Sequence, residues 1–265
     1  MFVNNINPDL INIGPLSIRF YGIVYALGFL LVTYLISKKA EEKKIKNLDK
    51  ERAVDLVTYT MIFGLLGARL FHVIDLFSVY WNNPFVQLSL FNININFPSA
   101  LAIWNGGLVF QGGALTGALF AYFYCKKHKI NLWKVFDFLV VPLPLIIGFG
   151  RIANFMNSEI IGPVTNLPWC VVFQKIDDFC RHPTQLYLGL AQFTFFFILF
   201  FLSKKKLKKG VLTGVFLIGY GLIRLIFDFL RDDFNIKFLS LSLTQIFGIF
   251  MMVYGVYLIK KKYKK

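Results

Sequence analysis

Residues 148–163 read Gly-Phe-Gly-Arg151-Ile-Ala-Asn154-Phe-Met-Asn157-Ser-Glu159-Ile-Ile-Gly162-Pro163 and follow directly on the apolar run 136–149. If that run lies in a membrane, the arginine, the two asparagines and the glutamate each need a partner or a ligand, because a charge at mid-bilayer costs about 2.5–3.5 kcal/mol on insertion scales. Arg151 and Asn154 share a helix face at i, i+3, and further on Tyr220, Arg224 and Asp228 share one at i, i+4, i+8. A guanidinium binds phosphate through two parallel hydrogen bonds and stays charged in almost any environment, so this set suits a phospholipid headgroup. Asp228 then either neutralises Arg224 or aims it at the phosphate, and the two roles are compatible. For Arg69, simple snorkelling to the interface is an equal alternative.

The elements that must position these groups follow from composition. Hydrophobic residues make up 57% of the 265, aromatic residues 18%, and the mean hydropathy is +0.61. A soluble core needs far less, so the chain reads as a polytopic membrane protein. The net charge of +15 does not point to nucleic acid, because the basic residues fall in short runs between apolar segments. Seven stretches approach the ~20 apolar residues a span needs: roughly 16–37, 53–77, 104–125, 135–154, 183–203, 211–231 and 240–259. Segments 38–52, 126–129, 204–209 and 260–265 hold 20 of the 29 Lys and Arg residues. With seven alternating spans all four lie on one side, the cytoplasm, leaving the N-terminus outside and the C-terminus inside. The expected fold is therefore all-α, a single transmembrane domain over 1–265, with the 155–182 loop forming a small outer cap. The first fifteen residues lack a signal-peptide pattern, so the first span is expected to do the targeting.

At ~1.5 Å per helical residue, Arg151 lies roughly 24 Å and Arg224 roughly 20 Å from the cytoplasmic face, with Arg69 and His72 further along their span. Tyr21 and Gln111 begin within about 10 Å of the outer face. The intramembrane polar groups thus converge on the outer half of the bilayer. Other patterns are set aside. Gly148–Ala153 fits a dinucleotide fingerprint but has no preceding strand. Gly64–Ala68, Gly106-Gly107 and Gly112–Gly117 read as close helix contacts. Trp81 and Trp104 suit an interface, His128 sits in a basic loop, and the 31 Phe read as lipid-facing bulk. Cys125, Cys170 and Cys180 lack metal or redox spacing and are expected to be unpaired thiols, although a Cys170–Cys180 bridge is open if their loop faces an oxidising compartment.

The run from Gly150 to Gly162 resembles the signature of the prolipoprotein diacylglyceryl transferases, bacterial inner-membrane enzymes that begin lipoprotein maturation. The likeness continues in order through Arg19-Phe-Tyr21-Gly22, Gly67-Ala-Arg69, Ile103-Trp-Asn-Gly-Gly107 with Gly112-Gly113, His182-Pro-Thr-Gln185-Leu-Tyr187 and Tyr220-Gly-Leu-Ile-Arg224. The resemblance implies transfer of an sn-1,2-diacylglyceryl group from phosphatidylglycerol to the lipobox cysteine thiol of a prolipoprotein, with glycerol phosphate released and no metal or organic cofactor. It implies that Arg151 and Arg224 hold the headgroup and stabilise the leaving phosphate. Asn154, Asn157, Glu159, Tyr21 and Tyr220 then shape the pocket, and Gly162 permits the turn after it. The implied active site faces the outer leaflet.

Three positions depart from that pattern. Gln111 stands where the family usually has histidine, Asp228 where it has glutamate, and Leu188 where it has another glutamate. Glutamine accepts no proton at neutral pH, so position 111 either only positions substrate, or Glu159, Asp228 or His72 is the base, or the chain has lost activity. Two other classes compete. A phospholipid or anionic-solute transporter would also carry intramembrane arginines, and a degenerate lipoprotein-precursor binder would tolerate Gln111. The outer clustering and the absence of an internal repeat disfavour the transporter.

Overall fold

The computed structural model describes residues 2–13, 16–90, 93–103, 106–231, 237–238 and 241–263. In chain order the helices are α1 (Phe20–Glu41), α2 (Lys50–Asp75), α3 (Phe77–Asn82), α4 (Phe110–Lys127), α5 (Leu132–Leu139), α6 (Leu143–Met156), α7 (Thr184–Ser203), α8 (Val211–Phe227) and α9 (Leu243–Tyr263). The strands are β1 (Phe2–Asn4), β2 (Asp9–Ile13), β3 (Leu16–Arg19), β4 (Phe85–Leu90), β5 (Ile93–Pro98), β6 (Val171–Phe173), β7 (Cys180–Arg181), β8 (Lys237–Phe238) and β9 (Leu241–Ser242). The chain is mostly helical, but these small sheets correct the all-α expectation. Among the described residues, α1, α2, α7 and α8 extended to Leu230 are long and apolar enough to cross a membrane. A fifth span is added if α5 and α6, bent by 43°, count as one. Pro142 and Pro144 explain that bend, since each removes a backbone donor and crowds the preceding turn.

By packing, the chain falls into two compact units. One holds residues 1–8, 20–28 and 133–265, and the other 9–19 and 29–132. In the second unit α2 packs on α4 through small residues. A Cβ on Gly113 would lie 2.9 Å from the Gly64 carbonyl oxygen, and Thr116 Oγ1 donates to the Phe63 carbonyl at 2.8 Å. The expected small-residue contacts are present there. α3 is followed by the antiparallel pair β4–β5, with Phe85 opposite Pro98. Trp104 lies outside the described residues.

In the first unit Val140, Phe195, Leu199, Leu212, Phe216 and Tyr220 form a buried cluster, which carries Tyr220 up to the polar end of α8. Asp137 of α5 caps α8, accepting from Gly210 N at 2.5 Å, Thr213 N at 2.8 Å and Thr213 Oγ1 at 2.6 Å. This satisfies helix-start donors that would otherwise lack partners. The segment between α6 and α7 contributes β6 and β7 to a three-stranded sheet whose other edge is the N-terminal β1, parallel to β6. Cys170 and Cys180 are joined by a disulfide across this sheet, with their Cα atoms 5.4 Å apart. The expectation of unpaired thiols is therefore corrected for this pair: Cys170 immediately precedes β6 and Cys180 opens β7, and the antiparallel pairing of the two strands brings their Cα atoms within disulfide reach. Cys125 is a buried free thiol.

Candidate active site

Arg151 projects from the last turns of α6. Its Nη1 donates to Asn154 Oδ1 at 3.1 Å, while its Nε is buried without a hydrogen-bond partner. No carboxylate among the described residues lies within ion-pair distance of it. The charged groups within electrostatic reach include two further cations, Arg224 and Arg231. Asn154, almost fully buried, connects this guanidinium to the rest of the site. Its amide nitrogen donates to Tyr21 Oη and to Glu159 Oε2, the latter at 2.8 Å, and Asn157 Nδ2 reaches Glu159 Oε1 at 3.3 Å. Tyr21, from the first turn of α1, thus meets the end of α6 through one asparagine.

Glu159 sits between two residues in the left-handed region, Ser158 at φ 57° and Ile160 at φ 56°. For a β-branched residue this conformation is strained, and strain of that kind persists only where neighbours over-determine it. The start of α7 supplies the restraint. Thr184 Oγ1 donates to the Ile160 carbonyl and Gln185 Nε2 to the Glu159 carbonyl, each at 2.5 Å, and both side chains are fully buried. Gly162 has no left-handed φ. The demand there is for space, since a Cβ would lie 2.7 Å from His182 Cβ and 2.8 Å from Thr184 Cγ2.

On α8, Arg224 Nη2 lies 3.3 Å from Asp228 Oδ2, and Arg231 Nη1 lies 3.6 Å from Oδ1. The Asp228 side chain is 0% exposed and the two arginines are 11% and 10% exposed. Thr244 of α9 donates to Asp228 Oδ2 at 2.6 Å. One buried carboxylate therefore faces two arginines. With Arg151, the site gathers three arginines and the carboxylates Asp228 and Glu159. Such a site accepts an anion without a further counter-charge.

Arg69, His72 and Gln111 lie in the other unit. Arg69 is buried, and its five N–H donors go to five backbone carbonyls: Nε to Ala100, Nη1 to Gly106 and Gly107, and Nη2 to Ser99 and Ala102, at 2.6–3.2 Å. A guanidinium has only five donors, so none is left for a phosphate. Its candidacy as a lipid ligand is corrected, and it clasps the segment leading into α4. The clasp requires Gly106 and Gly107 at φ 82° and 77°, where glycine alone is unstrained. Gln111 is the second residue of α4. His72 lines a cavity of about 230 Å³ with Arg69, Tyr80, Asn83 and Ser99. Leu188 is fully buried on the core face of α7.

Thr184 and Gln185 entered the sequence reading only as part of a resemblance, and Thr244 not at all. A local signal for the last was present. Ser242-Leu-Thr-Gln245 has the spacing of a capping box, and Gln245 N donates to Ser242 Oγ at 3.1 Å while Ser242 N donates to Gln245 Oε1 at 2.8 Å.

Residues 8–260 match the family model described as prolipoprotein diacylglyceryl transferase. Among curated relatives, a protein of Rickettsia rickettsii (strain Sheila Smith) is 36% identical over 263 residues, covering 96% of each chain. One of Vibrio parahaemolyticus is 34% identical over 266 residues, covering 98% of this chain and 92% of the relative. Both relatives are named phosphatidylglycerol–prolipoprotein diacylglyceryl transferase. A match of this length, in a mostly helical membrane chain whose buried arginines and asparagine are gathered as described, places the protein in the prolipoprotein diacylglyceryl transferase family.

Proposed function

We propose that the chain transfers the sn-1,2-diacylglyceryl group of phosphatidylglycerol to a prolipoprotein cysteine. In this reaction the thiol sulfur forms a bond to the terminal glyceryl carbon, the bond from that carbon to the phosphate oxygen breaks, and glycerol phosphate departs with the electron pair. The observation that carries the proposal is Arg151, a guanidinium with an unmatched buried Nε and no carboxylate partner among the described residues. Arg151 and Arg224 hold the phosphate and stabilise the charge it gains on departure. Tyr21, Asn154, Asn157 and Tyr220 shape the headgroup pocket, and Gly162 allows α7 to approach it. Of the groups able to take the thiol proton, Asp228 is enclosed by two arginines and a threonine, whereas Glu159 is exposed and its contacts are the neutral side chains of Asn154, Asn157 and Tyr21. We therefore assign the proton to Glu159, and to Gln111 the positioning of substrate.

Seven spans, with the N-terminus out and the C-terminus in, place this chemistry at the outer leaflet of the bacterial inner membrane, where a translocated signal-peptide cysteine emerges. The test is a purified-protein assay with labelled phosphatidylglycerol and a peptide carrying the lipobox cysteine. A thioether-linked diacylglyceryl peptide supports the proposal. Lipid movement without covalent product would indicate a transporter, and peptide binding without transfer would indicate a degenerate binder.

A further inference from the structure

Asp228 is the most enclosed carboxylate of the site, yet its shortest contact is not an arginine. Thr244 Oγ1 lies 2.6 Å from Oδ2, against 3.3 Å for Arg224 and 3.6 Å for Arg231. A tight arginine–carboxylate pair closes to about 2.7–2.9 Å and is commonly two-pronged, and neither arginine here reaches that geometry. Oδ1 in turn accepts no hydrogen bond. The carboxylate is therefore drawn toward α9 and away from the guanidinium that it neutralises.

Thr244 is itself held. The Ser242–Gln245 capping box fixes the first turn of α9, Ser242 Oγ lies 2.9 Å from Thr244 Oγ1, and Gln245 Nε2 donates to the Leu225 carbonyl of α8 at 3.2 Å. A Cβ on Gly221 of α8 would lie 2.4 Å from the Gly248 carbonyl oxygen of α9, so the two helices are in backbone contact one turn from Arg224. The hydroxyl thus has a fixed origin from which to hold the carboxylate.

We propose that Thr244 is a positioning residue, a tether that keeps Asp228 from closing onto Arg224. Arg224 then stays oriented by the carboxylate while its N–H groups remain available to an anionic phospholipid phosphate. Without the tether, Asp228 rotates into a two-pronged pair with Arg224 and competes with the phosphate for the same donors. The proposal rests on the reading of Arg224 as a phosphate ligand.

The experiment uses the full-length protein in detergent micelles and reads two quantities: the dissociation constant for short-chain phosphatidylglycerol, with phosphatidylcholine as control, and KM and kcat for transfer to a lipobox peptide. Thr244→Val is expected to weaken phosphatidylglycerol binding and raise its KM about tenfold while kcat changes less than about twofold, the pattern of lost ground-state binding. Thr244→Ser, which keeps the hydroxyl, restores both constants to within about twofold of the unsubstituted protein. In an Asp228→Asn background Thr244→Val should add no further loss, because no carboxylate remains to compete. Unchanged binding in Thr244→Val would overturn the proposal, as would a fall in kcat alone or a full tenfold loss persisting on top of Asp228→Asn. Should Thr244→Val fail to fold, Thr244→Ala carries the same expectations. Tether-dependent lipid binding without any transfer by the unsubstituted protein would refute the proposed function and leave the tether standing.

Discussion

Arg69 and Arg151 show how one residue type takes opposite roles according to what its donors meet. Arg69 has a backbone carbonyl for each N–H, so it contributes to the integrity of its unit and has nothing left to offer a ligand. Arg151 has one side-chain hydrogen bond and a buried unmatched Nε. Arg151→Lys is expected to lower kcat/KM for transfer by about a hundredfold or more, since a lysine cannot supply the planar two-pronged contact. Arg69→Lys should instead leave the KM for phosphatidylglycerol unchanged and lower the melting temperature of the detergent-solubilised protein. Both arginines were legible as intramembrane cations, but depth alone could not separate them, because the five carbonyls that meet Arg69 come from residues 30 to 38 positions away. Ile160 makes the complementary case. Its left-handed backbone costs about 1–2 kcal/mol, so Ile160→Gly should raise thermal stability while reducing transfer. Both carbonyl hydrogen bonds remain, but glycine widens the conformational range of the backbone that presents Glu159. A variant that is neither more stable nor less active would show that the strain at 160 has no bearing on the site.

At the scale of elements, the apolar runs that became α1, α2, α7, α8 and α9 were readable within a few residues, because twenty apolar positions leave the chain little choice. The strands were not readable. β6 and β7 are three and two residues long, and what makes them strands is pairing with β1 far away in sequence. The bend between α5 and α6 had its signal in Pro142-Leu-Pro144, which the seven-span count passed over. The cap of α8 was equally hidden, because Asp137 lies on another helix. Asp137→Ala leaves Gly210 N, Thr213 N and Thr213 Oγ1 without that acceptor and should cost about 1–3 kcal/mol of stability. The measurement is a thermal shift, with the KM for phosphatidylglycerol unaltered. Beside the three-stranded sheet, Arg181 of β7 donates to both oxygens of Asp177 and holds its carboxyl below the usual carboxylate range. A depressed folded pKa adds stability that is complete above the unfolded value of about 3.9 and is lost as pH falls through the folded value. Amide protection in β6 and β7 should therefore be level from neutral pH down to about pH 4 and fall below it. Asp177→Asn should remove both that acid-sensitive part and its pH dependence.

For the whole molecule, two unrelated kinds of residue point to the same orientation. The Lys and Arg runs at 38–52, 126–129, 204–209 and 260–265 argue for one cytoplasmic side. The Cys170–Cys180 disulfide lies in the segment that this assignment puts outside, and disulfides persist in oxidising compartments. The basic runs were visible in the sequence, whereas the bridge depended on a strand register that was not, so the second argument is independent of the first. Together they make the proposed outward-facing site testable without any activity measurement. In intact spheroplasts a membrane-impermeant maleimide should label nothing at first, since the only free thiol, Cys125, is buried in α4. After an impermeant phosphine reductant is added, the same maleimide should label Cys170 and Cys180, and Cys170→Ser/Cys180→Ser should abolish that signal. Labelling before reduction would show the two thiols to be free. Labelling that requires inverted vesicles would put the 157–183 segment in the cytoplasm, and with it Glu159 and the end of α6, which would leave the site on the wrong face for a cysteine emerging from translocation.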